Sequence, residues 1–312
     1  MKMQGRHVKM LEHKMLSLFG GNMTAYGHDL PGGRGEAVRG PVTPQLVQQH
    51  LEGSTGIGIY PMWYQDDQWW VKWGCCDIDT GDWSEAYGLW VALNAMGFTP
   101  YIERSRSKGW HVWVFSDGPV NARAMRRALK VAYAAIDLPA REANPKSEDL
   151  RPEQLGNYVR LPYKGALTAT ETPERQTFMK DFSSSNDGTP MSAAEFFETD
   201  PLRLAPDTIR YWANKWKEPT RERFNKPAIS EEELRKVAVS MDRELFKFLK
   251  DGPPGFGDRS EALVAFAFKL KRAGYTPEER YGLLEAADRR WGKYHLRPDG
   301  DVYLLDIVER TL

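Results

Sequence analysis

Asp77-Ile78-Asp79 closes a stretch, residues 69–78, whose Trp, Val and Ile content predicts a β-strand. Side chains alternate along a strand, so both carboxylates project from one face, about 7 Å apart, while Ile78 turns into the opposite layer. Two anions held side by side at the end of a half-buried strand repel each other, and a divalent cation compensates that repulsion. The pair is therefore a candidate Mg2+ or Mn2+ site. The same residues, running into Thr80-Gly81-Asp82, equally suit a turn that caps the next helix.

A second cluster, Ser105-Arg106-Ser107-Lys108-Gly109-Trp110-His111, bridges two predicted strands at residues 100–105 and 110–116. Its hydroxyls, backbone amides and ammonium can converge on one concave spot, as a triphosphate requires, and Gly109 permits close backbone approach. Singly, Lys108-Gly109 also reads as a hairpin turn and His111 as a hydrogen-bonded interior histidine. Adjacent acids on one strand suit a metal better than glycosidase chemistry, which needs carboxylates with opposed environments across a sugar cleft.

These residues need a scaffold. Residues 56–60 and 157–161 also read as strands. Ala86, Leu89, Trp90, Leu93 and Met96 mark one face of a helix closed by Gly97, and Met125, Leu129, Ala132 and Ile136 mark another. From residue 167 to 206 the pattern weakens into turns and one short helix around residues 191–197. Residues 210–227 are polar and basic and read as a connection. Beyond them, Ser230 with Glu233, Asp258 with Glu261, and Thr276 with Glu279 have capping-box spacing, Gly274 and Gly292 suit helix ends, and residues 301–312 suit a last helix. The expectation is an α+β catalytic domain over residues 1–206, a mixed sheet with flanking helices. A linker at 207–227 and a four-helix accessory domain at 228–312 follow it.

Forty-three Lys and Arg balance forty-three Asp and Glu, so any attraction to a polyanion must come from local clustering. Residues 101–165 supply such a cluster, with twelve basic residues against seven acidic ones. Within it Arg123, Arg126, Arg127 and Lys130 form a stripe along one helix face, which reads either as a solvated surface or as a phosphate-backbone track for DNA. Trp63, Trp69, Trp70, Trp73, Trp110 and Trp113 lie near the active strands, mostly as core, with room for a stacking platform among them. The only cysteines, Cys75 and Cys76, are adjacent, a spacing that suits neither a disulfide framework nor a zinc half-site. A reducing, cytoplasmic setting without zinc is expected, and the N-terminal residues hold no apolar stretch long enough for a membrane span. Gly252-Pro253-Pro254-Gly255-Phe256-Gly257-Asp258 fails as a phosphate-binding loop because Asp258 stands where a lysine is needed. A helicase motor would have to come from a partner or an adjoining chain.

Together the two clusters resemble motifs I and II of the archaeo-eukaryotic primase superfamily. The segment Ser105-x-Ser107-Lys108-Gly109-x-His111 is similar to the polymerase domain of bacterial end-joining ligase D. The wider layout is similar to the primase-polymerases of phages and mobile elements: His50-Leu51-x-Gly53, Gly56-x-Gly58-x-Tyr60-Pro61, Glu142 before Pro145-Lys146, and Gly156-Asn157-x-x-Arg160-Leu161-Pro162. The resemblance covers residues 25 to 165. It implies that Asp77, Asp79 and a third acid hold two Mg2+ or Mn2+ ions, with Glu142 the candidate ahead of Asp149 and Asp117. It implies further that Ser105, Ser107, Lys108, Gly109 and His111 bind an incoming NTP or dNTP, with Arg160 and Lys146 as further phosphate or template contacts. The implied activity is template-directed nucleotidyl transfer on single-stranded DNA, making or extending primers in replication of a phage or mobile element. A gap-filling or end-joining polymerase and a non-catalytic single-strand-binding initiation module are the alternatives.

Overall fold

The computed structural model describes residues 2–30, 32, 34–138, 140–217, 227, 229–252, 259–292, 294–297 and 300–309. The chain divides into two compact units, residues 1–218 and 219–312.

The first unit opens with helix α1 (Lys2–Phe19), followed by a hairpin of β1 (Ala25–Asp29) and β2 (Gly35–Arg39), helix α2 (Pro44–Glu52), and strands β3 (Ile57–Ile59), β4 (Trp63–Gln65) and β5 (Gln68–Ile78). Next come α3 (Trp83–Ala95), β6 (Tyr101–Arg104), β7 (Trp110–Asn121), α4 (Ala122–Ala135), a single 3-10 turn at Ala140–Glu142 and β8 (Ala143–Asn144). Short strands β9 (Val159–Arg160), β10 (Thr177–Lys180) and β11 (Thr189–Pro190), then α5 (Ala193–Glu198) and α6 (Pro206–Ala213), complete it. The strands form a four-stranded sheet in the order β2-β1-β3-β9 and a larger sheet in the order β11-β10-β6-β7-β5-β4, with β8 sharing an edge of β5. Their pairings are antiparallel. The fold is α+β, with helices flanking antiparallel sheets.

β5 and β7 are buried on both faces, which is why their sequences read as near-continuous apolar runs. From β7, Trp110, Val112 and Val114 enter one core with Leu89, Leu93, Met125 and Leu129 of α3 and α4. Trp113 and Phe115 enter the other with Leu11, Met15 and Phe19 of α1, Val47 and Leu51 of α2, and Phe196 of α5. Thr80-Gly81-Asp82 does form a turn, and it is Asp82 that caps α3, accepting from Ser84 N–H at 2.8 Å. Asp77 and Asp79 stay out of that cap.

The expected connection at 207–227 begins as structure. α6 packs into the first core through Ile209, and the Trp212 indole donates to Met96 O at 2.6 Å. Its two buried apolar residues, set among Arg210, Tyr211 and Lys215, were too few to register as a periodic face.

The second unit holds five helices among the described residues: α7 (Glu231–Val239), α8 (Arg243–Asp251), α9 (Arg259–Arg272), α10 (Pro277–Trp291) and α11 (Gly300–Glu309). The capping boxes at Ser230/Glu233 and Thr276/Glu279 are present, whereas Asp258 lies outside the described residues. The expected count of four omitted α8, whose cap, Asp242, accepts from Glu244 and Leu245 N–H without a Glu at the third position. Leu245, Phe248, Phe266, Leu284 and Ile307 share one core in this unit.

Candidate active site

Strand register builds the acid cluster. Asp77 at the end of β5 pairs directly with His111 at the start of β7. On the other edge of β5, Cys76 pairs with Ala143 of β8, so Glu142 arrives at the next step, beside Asp77. One carboxylate oxygen from each of Asp77, Asp79 and Glu142 falls within 4.8 Å of the others, the one such trio of His, Cys, Asp or Glu among the described residues. Lys146 forms an ion pair with Glu142. Burial raises the Asp77 pKa; His111 and Lys146 pull it down, while Asp79 and Glu142 push it further up. Asp149 is exposed and paired with Arg123, and Asp117 is exposed toward the far end of β7, so neither joins the trio.

Asp77 and Asp79 line a cleft of about 130 Å³ together with Ser105, Arg106, Ser107, His111, Lys146, Tyr158 and Arg160, and Glu142 meets the two acids from outside that lining. Asn144, almost fully buried, lines the cleft too, and its Oδ1 has no hydrogen-bond partner among the described residues. Three carboxylates and an unengaged amide oxygen make an all-oxygen donor set, which fits hard dications such as Mg2+ or Mn2+.

Glu103, unremarked in the sequence, is 1% exposed and controls His111. Its Oε2 accepts from His111 Nδ1 at 2.8 Å and from the Trp113 indole at 2.6 Å. The proton is thereby fixed on Nδ1, and Nε2 is turned toward Asp77 Oδ1, 3.6 Å away. Burial alone would lower the His111 pKa, but the Glu103 charge and hydrogen bond, with Asp77 and Asp79, raise it overall. The signal for Glu103 was available: it stands opposite His111 across the Ser105–Gly109 turn.

Asp29 at the end of β1 is the second missed residue. Its side chain, 6% exposed, takes Arg160 Nε at 2.7 Å and Arg106 Nη1 at 3.3 Å, tying the small sheet to the motif II turn across the cleft. Arg106, not Lys108, is the cation that this turn presents to the cleft; Lys108 is exposed and outside the lining. Gly109 packs on the backbone of Ile78 and Asp79 so closely that a Cβ would strike Ile78 O, so its role is to let motif II approach motif I. Tyr158, another lining residue, lies against the bare backbone of Gly27, Gly35 and Gly58 on three neighbouring strands.

The basic stripe on α4 has partners within the unit. Arg123 pairs with Glu148 and Asp149, and Arg127 and Lys130 approach Glu148 at 3.4 and 3.5 Å. Arg126 donates to Ala143 O and Pro145 O at 2.5 and 2.8 Å, holding the segment that carries Glu142 and Lys146.

The carboxylate trio thus stands beside an arginine- and hydroxyl-lined cleft between antiparallel sheets. Residues 36–185 match the archaeo-eukaryotic primase domain of TOTE conflict systems, and the chain carries a domain of that superfamily. Among solved structures, the chain is similar to primase RepB′, with 16% identity over 97% of this chain and 94% of that chain at a TM-score of 0.35. It is also similar to the polymerase domain of Mycobacterium tuberculosis ligase D in complex with DNA, with 12% identity over 67% of this chain and 88% of that chain at a TM-score of 0.31. A search of the curated proteins gave no match. No described helix is long and apolar enough to cross a membrane.

Proposed function

We propose that the chain is a primase-polymerase that transfers nucleotides onto a primer or an initiating nucleotide under the direction of single-stranded DNA. One observation carries this reading: Asp77 and Asp79, which Glu142 joins, line the same cleft as Ser105, Arg106, His111 and Arg160. The carboxylates are suited to hold two divalent cations, which when bound neutralise triphosphate charge and activate the attacking hydroxyl. Arg106 and Arg160, fixed by Asp29, supply guanidinium donors for phosphate oxygens. Ser105 offers a hydroxyl, and protonated His111 offers an Nε2–H donor to the same anion. Lys146, which pairs with Glu142 and lines the same cleft, is a further candidate contact to phosphate or template. Phosphoryl transfer asks mainly for such positioning and charge stabilisation, so the reaction needs no protein nucleophile.

The test is incorporation of labelled nucleotide on a single-stranded template with Mn2+, with and without a primer. Unprimed products support a primase, primed products alone support a gap-filling polymerase, and binding without incorporation supports the non-catalytic module. Asp77→Ala should abolish synthesis and leave DNA binding intact. Residues 219–312 are assigned to initiation, so a chain ending at residue 218 should extend primers and fail to start them.

A further inference from the structure

A second cavity in the first unit, about 670 Å³, lies apart from the acid trio and shares none of its lining. Part of its wall comes from the end of α1 and residues 20–24, outside the matched primase domain. Tyr64, 40% exposed, packs with a ring-centroid distance of 5.2 Å on Trp69, which is itself buried in the core, and Trp63 of the same β4–β5 hairpin also lines the cavity. Arg39, Lys72 and Arg203 bring three cations, against which Glu153 is the one acid in the lining. Arg39 donates to Glu153 O at 2.8 Å and Arg203 to Ser17 Oγ at 3.1 Å, contacts that leave their charges unneutralised, and Lys72 has no acidic partner among the described residues.

We propose that this cavity binds single-stranded DNA, bases against Tyr64 and Trp63 and phosphates on Arg39, Lys72 and Arg203; the inference rests on the polymerase reading above. Aromatic faces interleaved with cations recognise unpaired strands without sequence preference. The segment between the cavities gives the connection: residues 152–155 line this one and residues 157–160 line the acid cleft. Consecutive stretches of chain thus wall the two cavities.

Anisotropy of fluorescein-labelled oligo-dT, measured in EDTA so that the acid cluster holds no cation, tests the site. Tyr64→Ala should weaken binding about tenfold. Arg39→Ala with Lys72→Ala should reduce the slope of log K against log salt by about 1.4, or 0.7 for each lost phosphate contact, while Lys72→Arg keeps it. Ultraviolet crosslinking of iodouracil-substituted oligonucleotide should map to the peptide holding Trp63 and Tyr64. Thermal unfolding of each variant confirms folding. If the wild type binds and extends primers while the folded variants bind within twofold of it with an unchanged slope, this site is overturned and the polymerase reading stands. If the wild type neither binds nor extends, both fall.

Discussion

The Glu103 carboxylate, 2.8 Å from His111 Nδ1, decides which nitrogen of that imidazole faces Asp77. Glu103→Gln keeps the shape and removes the charge. Nucleotide incorporation should fall about 10- to 100-fold, the range seen when the residue behind a functional histidine is altered. The His111 pKa, followed by NMR of its ring protons, should drop, because the group that offset burial is gone. An unchanged titration would remove Glu103 from this role.

Asp77 sits where like charge and burial both oppose ionisation. In metal-free protein Asp77→Asn should therefore raise the melting temperature while incorporation is lost. Mn2+ should stabilise the wild type in a thermal shift assay and leave the variant unmoved, since a ligand stabilises only a state that binds it.

Asp29 is assigned a positioning role, exerted through the two arginines that its carboxylate holds at the cleft. Asp29→Asn should raise KM for nucleotide about tenfold, the equivalent of one charge-assisted hydrogen bond, with kcat changed far less. Steady-state kinetics on a primed template read this split, and a pure loss of kcat would contradict it.

His50 gives the fold a pH dependence of its own. It is fully buried, accepts from Ile57 N–H at Nδ1, 3.3 Å, and donates from Nε2 to Pro162 O at 2.8 Å. Burial first of all pushes its pKa down from 6.5 to about 4. The unfolded chain then takes up a proton that the native state refuses, so the associated stability is complete above pH 6.5 and is lost as pH falls toward 4. At 1.36 kcal/mol per unit this amounts to about 3 kcal/mol. Urea denaturation should show His50→Gln less stable than the wild type at pH 7 and the gap closing toward pH 4.

Arg126 offers a test of the α4 stripe. Arg126→Ala leaves Ala143 O and Pro145 O without their donor and should cost about 2 kcal/mol in chemical denaturation. Synthesis should fall as Glu142 loses its support, and Arg126→Lys should restore only part of both.

What the sequence revealed and what it hid follow from the range of each interaction. Asp77 and Asp79 were legible because strand alternation is local, and Ser105 to His111 because a short turn keeps its members together. Glu142 was reachable only through family resemblance, since its meeting with Asp77 depends on β8 taking the free edge of β5, a pairing across more than sixty residues. Asp29 was hidden because β1, Ala-Tyr-Gly-His-Asp, lacks the branched and aromatic run that marks a strand. The α4 stripe had the right period, but periodicity does not say what faces it, and Glu148 proved to be the neighbour.

Tyr158 resting on Gly27, Gly35 and Gly58 gives the catalytic cleft a floor whose height is one ring thickness above naked main chain. Adding a single methyl at Gly27, Gly35 or Gly58 would strike that side chain, and with it disturb the Arg160 guanidinium that lies 5.8 Å from the ring centre. The depth of the cleft is thus set from three positions that carry no functional group at all.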